Sequence, residues 1–437
     1  MDTNEQNQQD KRELRHKRRQ RNQIIAYTVV GIMILLLAVG IAFAVSKITG
    51  MSHNRQEQQN KLDDIIASEE TITAPTEPVE TVPELTNEQK LDKIIDEAII
   101  QNMPLEDKVA GLFITTPESI TGVSAAVQAG DGTKDALSKY PVGGIVYAAK
   151  NIQSADQLKQ MIDNTKLYTS YPLFIAIDGE GSGTDAVAAA GLGTKTDSPE
   201  TIGASGDANN AYTAGTTVGS YLAELGFNLD FAPAADLKVV DGNAAGSSSY
   251  GTDAATVASF VTGMQTGLQE QKVTAAIGHF PGIGSTTQST KNGMASTDRS
   301  AEDFRANEFA VFQTCIDNGM TKMIRISNMA SSSLTGDNTP CTFSSAVVTD
   351  ILRNELNFRG VIVSGAMNQA AITNYYGADE AAVLALRAGC DMIYAPENFE
   401  TAYNGVLEAV QNGTISEERV NDSLRRIYRI KYADKIE

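Results

Sequence analysis

Cysteine and histidine are both scarce in this chain of 437 residues, and each scarcity closes off chemistry. Cys315, Cys341 and Cys390 lie far apart and form no Cys-x-x-Cys pair. They indicate neither a zinc site nor a disulfide framework, and their apolar or turn surroundings suit structural roles. Of the three histidines only His279 lies beyond residue 53. No metal and no cofactor is expected. Positive charge is short as well: 35 Lys and Arg stand against 54 Asp and Glu, a net charge of −19. Affinity for nucleic acid comes mainly from Lys and Arg meeting phosphates, so nucleic acid is excluded as a partner. No long internal repeat is evident.

The basic residues that are present cluster at the start: Lys11, Arg12, Arg15, Lys17, Arg18, Arg19 and Arg21. Ile24 to Val45 then carries no charge. That is close to the roughly 20 residues a helix needs to cross the hydrocarbon core. Basic residues tend to stay cytoplasmic, so the expectation is a single-pass anchor at 24–45 in the cell membrane. Residues 1–23 would lie inside and everything after Ser46 outside. The alternative is a cleaved signal peptide ending at Ala42-Phe-Ala44, although its apolar core would be unusually long. Residues 46–87 read as a disordered extracellular linker, first rich in Gln, Glu and Asn, then in Thr, Glu and Pro75, Pro78 and Pro83.

Residues 88–437 read as one globular domain. Short apolar runs at Gly111–Thr115, Gly144–Tyr147, Leu173–Ile177, Leu229–Ala232, Thr274–His279, Lys322–Ser327, Gly360–Ser364 and Asp391–Ala395 predict strands. Between them lie helical patterns at Ala155–Thr169, Ala208–Leu225, Thr252–Gln271, Ala301–Asn318, Ser344–Leu356 and Asp379–Ala388. A last amphipathic helix opens at Ser416 and runs through Val420, Leu424, Ile427 and Ile430. Eight strands alternating with helices predict an α/β fold of the (β/α)8 TIM-type barrel class. A doubly wound open sheet is the competitor, because sequence pattern cannot show closure.

In a barrel the active-site face is built just after each strand. Asp178-Gly-Glu-Gly-Ser-Gly183 follows the third; its carboxylate either binds ligand hydroxyls or caps the next helix. Asp230-Phe-Ala-Pro-Ala-Ala-Asp236 follows the fourth. His279-Phe-Pro-Gly282 ends the fifth, and a lone His there is either a satisfied core residue or a ligand contact. Ser327 and Asn328 follow the sixth strand, Ser364-Gly-Ala-Met-Asn-Gln369 the seventh, and Pro396, Glu397 and Asn398 the eighth.

Asn228-Leu-Asp-Phe-Ala-Pro-Ala-Ala-Asp236, His279-Phe-Pro-Gly282, Phe358-Arg-Gly-Val-Ile-Val-Ser364 and Gly413 to Ile427 resemble family 3 glycoside hydrolases of the single-barrel β-N-acetylhexosaminidase type. The resemblance covers nearly all of 88–432. It implies a barrel with a sugar-binding cleft and retaining chemistry, which needs a carboxylate nucleophile and a proton donor. The family carries its nucleophile in Ser/Thr-Asp-Ala-Met-Asn-Met; here Gly365 stands for the Asp. Its loop Lys-His-Phe-Pro-Gly-His-Gly-Asp-Thr, two residues, Asp-Ser-His reads here with Gly278 for Lys, Ile283 for His and Ser285 for Asp. Ser289 replaces the proton-relay Asp and Lys291 its His. The Arg of an Arg-Ser-Phe-Gly element is lost at Ser248-Ser-Tyr-Gly251, and Ser327 lies where an Ala-His pair supplies a His.

The resemblance with these losses implies no catalytic residues and a pseudoenzyme that binds a carbohydrate, such as an N-acetylglucosamine-containing cell-wall glycan, or a protein partner. Asp178, His279, Asp230 and Asp236 are the candidate ligand-binding residues, with Asp230 and Asp236 also suited to bracing loops. The rival is an active β-N-acetylhexosaminidase that has recruited Glu180, Asp185, Asp298 or Glu397. A scaffold with a closed cleft and interacting outer helices is a third reading.

Overall fold

The computed structural model describes residues 86–180 and 185–433. The expected cytoplasmic tail, membrane anchor and nearly all of the linker lie outside them. Among the described residues no helix is long and apolar enough to cross a membrane.

The strands are β1 (Phe113–Thr115), β2 (Gly144–Val146), β3 (Phe174–Ile177), β4 (Leu229–Asp230), β5 (Thr274–Phe280), β6 (Ser296–Thr297), β7 (Met323–Ile326), β8 (Ala330–Ser331), β9 (Val361–Ala366) and β10 (Met392–Tyr394). β6 and β8 form a small separate sheet. The other eight close into one parallel barrel in the order β1-β2-β3-β4-β5-β7-β9-β10. Closure is made where Phe113 pairs with Ile393, so the doubly wound alternative falls. All eight barrel strands lie where apolar runs predict them. Both faces of such strands are covered, which is why they read as unbroken apolar runs rather than alternating ones.

The domain begins on the helix Asn87–Ala98, whose capping box is complete: Thr86 Oγ1 accepts from Gln89 N at 3.2 Å and Gln89 Oε1 from Thr86 N at 2.9 Å. That pairing satisfies two of the donors a helix start leaves open. The last helix, Glu417–Lys431, docks on it through Arg425–Asp96 at 2.9 Å and an Arg429–Asp92 pair. Two helical predictions need correction. The pattern at 301–318 is two helices, Ala301–Ala306 and Glu308–Asp317, broken at Asn307. The segment Ala346–Glu355 is wound wider than an α-helix.

Under the site, Phe280 is fully buried between Phe309 and Phe312, with ring centroids 5.4 and 5.1 Å away. Burying a side chain of that size stabilises by roughly 1.5–3 kcal/mol. It anchors the loop that follows β5.

Candidate functional site

At the C-terminal end of the barrel, the strand ends and the loops after them enclose a cavity of about 120 Å³. Ligand pockets typically offer about 300–1,000 Å³. Asp178, Glu180, Asp236, His279, Ser289, Lys291, Arg325, Asn328, Gly365 and Gln369 all line it. Two groups explain why so little space remains.

The first group is centred on Arg325, in the middle of β7. Its Nη1 donates to Asp178 Oδ2 at 2.8 Å and its Nη2 meets His279 Nε2 at 2.6 Å. A guanidinium can only donate, so Nε2 accepts and the ring proton sits on Nδ1. Nδ1 donates in turn to Asp236 Oδ2 at 2.9 Å. Asp236 also accepts from Ile283 N at 2.8 Å, which fixes the loop after β5. Tyr394 OH donates to Asp178 Oδ2 at 3.2 Å. Burial opposes the charge on Arg325, but Asp178, Tyr394 and Glu180 outweigh it and hold its pKa above the usual value. The guanidinium lies over the rings of Phe231 and Tyr394, 5.2 and 6.0 Å from their centroids. Asp178 and His279, the two foremost candidates for ligand contact, are thus tied to a cation. Arg325 was not singled out in the sequence. The available signal was one charge inside Met323-Ile-Arg-Ile326, a strand buried at every position.

Arg325 also borders Gly278 on the neighbouring strand. A Cβ on Gly278 would lie 3.4 Å from Arg325 Cβ and 3.5 Å from its Nε, ordinary van der Waals contact.

The second group is Gly365 and Asn328. β9 runs on to Ala366, so Gly365 lies inside the strand rather than after it. A Cβ on Gly365 would sit 2.0 Å from Asn328 Oδ1 and 2.4 Å from its Cγ. The Asn328 amide therefore occupies the volume into which a side chain at 365 would project. Its Nδ2 donates to Ala366 O at 2.8 Å and to Gln369 Oε1 at 3.0 Å.

Asp230 takes the loop-bracing position. Its carboxylate is fully buried, does not line the cavity, and accepts from Gly179 N at 3.0 Å. Burial first, then the nearby Asp185 charge, raises its pKa well above the usual range. It braces the turn after β3 from behind. Ser289 and Lys291 do reach the cavity wall, held there where Ala371 N donates to Thr290 O at 3.0 Å. Ser248 Oγ donates to Glu180 Oε2 at 3.3 Å. Burial pushes the Glu180 pKa up, but its neighbours His279, Arg325 and Lys291 together bring it below the usual carboxylate value. Of the other carboxylates that the rival reading needs, Asp185 caps the helix Ala186–Ala189 and meets Tyr221. Asp298 and Glu397 do not line the cavity. Among the described residues no cluster of His, Cys, Asp and Glu could hold a metal ion.

Residues 105–430 match the model of the glycosyl hydrolase family 3 N-terminal domain. The chain belongs to glycoside hydrolase family 3. A β-hexosaminidase of Nitrosomonas eutropha is 30% identical over 263 residues, covering 59% of this chain and 74% of the relative. β-Hexosaminidase A of Pseudoalteromonas piscicida is 25% identical, and the match spans 68% of this chain but 54% of that one. Among solved structures, a family 3 β-N-acetylglucosaminidase from Paenibacillus sp. str. FPU-7 superposes with a TM-score of 0.70 at 30% identity. That superposition covers 76% of this chain and 63% of the other. A β-N-acetylhexosaminidase from Beutenbergia cavernae gives 0.65 at 27% identity, over 76% and 99% of the two chains. Within this family 3 barrel the Asn328 amide is packed against Gly365.

Proposed function

We propose that this family 3 protein is a membrane-anchored, extracellular barrel that no longer cleaves glycosidic bonds and binds an N-acetylglucosamine-containing glycan of the cell wall. The observation that carries the loss of catalysis is the Asn328 amide, 2.0 Å from where a Cβ at 365 would stand. Retaining hydrolysis needs one carboxylate to attack the sugar and one carboxylic acid to protonate the leaving oxygen. Among the described residues, three carboxylates line the cleft. Asp178 is bound to Arg325, and Asp236 to His279 and the Ile283 amide. Glu180 is held below the ordinary pKa, whereas a general acid at neutral pH needs one raised. The glycan class rests on the β-N-acetylglucosaminidases and β-hexosaminidases that the chain resembles.

The direct test is an assay of the full-length protein on an aryl N-acetylglucosaminide. The expected result is at most a trace rate, several orders of magnitude below an ordinary enzyme turning over about 10 times per second. Turnover within about tenfold of that figure would overturn the reading.

The anchor rests on the basic cluster before 24–45. Protease applied to intact cells should release the barrel by cutting within residues 46–87. A barrel protected until the cells are lysed would contradict this topology.

A further inference from the structure

Beside the cleft lies a second, larger hollow of about 680 Å³. That falls within the roughly 300–1,000 Å³ usual for ligand sites. Val239 and Val240 form one wall, residues 285–288 another and 296–300 a third, with Asp303 at the edge. Thr286 and Gln288 line both hollows, so the two share a wall on the same face of the barrel.

The trough is built rather than left over between loops. Val240 N donates to Gly284 O at 3.2 Å, and Ala244 N to Thr286 O at 2.8 Å. Across the hollow, Thr297 Oγ1 donates to Ser285 O at 3.2 Å and Ser296 N to Gln288 Oε1 at 3.1 Å. β6 is paired with β8 beneath. A site already held in shape spares a ligand the cost of ordering it.

Its chemistry is hydroxyl-rich and without spare positive charge. Ser285, Thr286, Thr287, Thr297 and Ser300 supply hydroxyls. The exposed side chains of Thr287 and Gln288 point their polar groups to the open side of the trough. Arg299 is spent on Glu308 at 2.7 Å, and Asp298 and Asp303 remain at the rim. That balance disfavours an anionic ligand. Val240 offers an exposed apolar surface on which the C–H face of a sugar ring can lie.

We propose that this trough carries the glycan: a neutral N-acetylglucosamine oligosaccharide lies across 239–240, 285–288 and 296–300, outside the constricted cleft. The proposal rests on the glycan-binding reading above and gives that reading its location.

The experiment is calorimetric titration of the full-length protein in detergent with the β-1,4-linked N-acetylglucosamine hexasaccharide. Val240→Arg and Thr287→Arg each fill the trough from a different exposed wall position, and thermal melting verifies that both variants fold. Glu180→Gln and Lys291→Ala alter the cleft instead. The expected result is binding by the wild type, weakened about tenfold or more (about 1.4 kcal/mol) by either trough variant and changed less than about twofold by the cleft variants. Hexasaccharide binding that ignores the trough variants would overturn the trough while leaving the glycan-binding reading intact. Binding lost only in the cleft variants would do the same and return the ligand to the cleft. A wild type that binds no hexasaccharide would overturn both.

Discussion

Gly365→Asp will leave the protein unable to cleave a natural disaccharide and will destabilise the barrel. A Cβ at 365 falls 2.0 Å from Asn328 Oδ1 and 2.8 Å from its Nδ2, closer than non-bonded atoms tolerate. Asn328 cannot yield freely, because it is buried and holds Ala366 O and Gln369 Oε1. Overpacking together with the lost hydrogen bonds should cost roughly 2–4 kcal/mol. Asn328→Ala in the same background should return most of that loss, since contacting residues are non-additive. Activity should still be missing, because Ser289 and Lys291 supply no proton to the leaving oxygen. Repair of Gly365, Ser289 and Lys291 to Asp, Asp and His, with Asn328→Ala, should exceed the sum of the single repairs. The measurements are thermal melts and release of nitrophenol from an activated substrate, set beside hydrolysis of the disaccharide. If Gly365→Asp melts like the wild type and cleaves the disaccharide well, the packing at Asn328 and the account of 283–291 are both wrong.

The barrel was legible because its strands are buried on both faces, so each stands out as a short apolar run between helical patterns. Gly278, Gly365, Ser289 and Lys291 stood out as departures within otherwise recognisable motifs. What packs around them did not. Sequence shows which atoms are absent at a position but not which neighbour moves in. β7 pairs with β5 on one side and β9 on the other. Just after it, the Asn328 amide takes up the space beside Gly365, and an unfilled void there would cost stability in proportion to its volume. Arg325, inside β7, reaches Asp178 and His279. The small β6–β8 sheet was also unread, because each strand is only two residues long. The break at Asn307 was missed because apolar periodicity continues across it.

The packing around Arg325 bears on the cleft as directly as the departures from the family motif do. Asp178 and His279 keep positions from which they would touch a sugar. Their hydrogen-bonding capacity is now turned on Arg325, which joins them across three strand ends. A ligand entering the cleft would have to compete with Arg325 for the exposed carboxylate of Asp178 and for His279. The open, hydroxyl-lined hollow next to it demands no such exchange.

At the opposite end of the barrel, Asp391→Ala should be the most damaging single substitution for the fold. Asp391 precedes β10 and is fully buried. Its Oδ2 accepts from Arg353 Nη2 at 2.8 Å and from Ile362 N at 2.9 Å. Its Oδ1 accepts from Arg426 Nη1 and Ser423 Oγ, each at 2.9 Å, and Arg419 lies 3.6 Å away. One carboxylate thus joins β9, β10, the 346–355 helix and the last helix. Removing it strands three guanidiniums around an uncompensated hollow. Breaking a buried pair in this way costs about 3–5 kcal/mol, a fall in Tm on the order of 10 °C. Burial pushes the Asp391 pKa up, but Arg353, Arg426 and Arg419, with the Ile362 amide, outweigh it and hold it below the ordinary value. Its contribution is therefore fully present above the unfolded carboxylate pKa, about 3.9. It is lost only as pH falls through the lower folded value. The gap between wild type and Asp391→Ala should be constant from about pH 5 upward and shrink in stronger acid. Asp391→Asn, which keeps an acceptor for Ile362 N but no charge, should lie between the two. Denaturant melts across pH measure all three. A loss below about 1 kcal/mol for Asp391→Ala would mean that the arginines find other partners and that the cluster does not hold the barrel's lower end together.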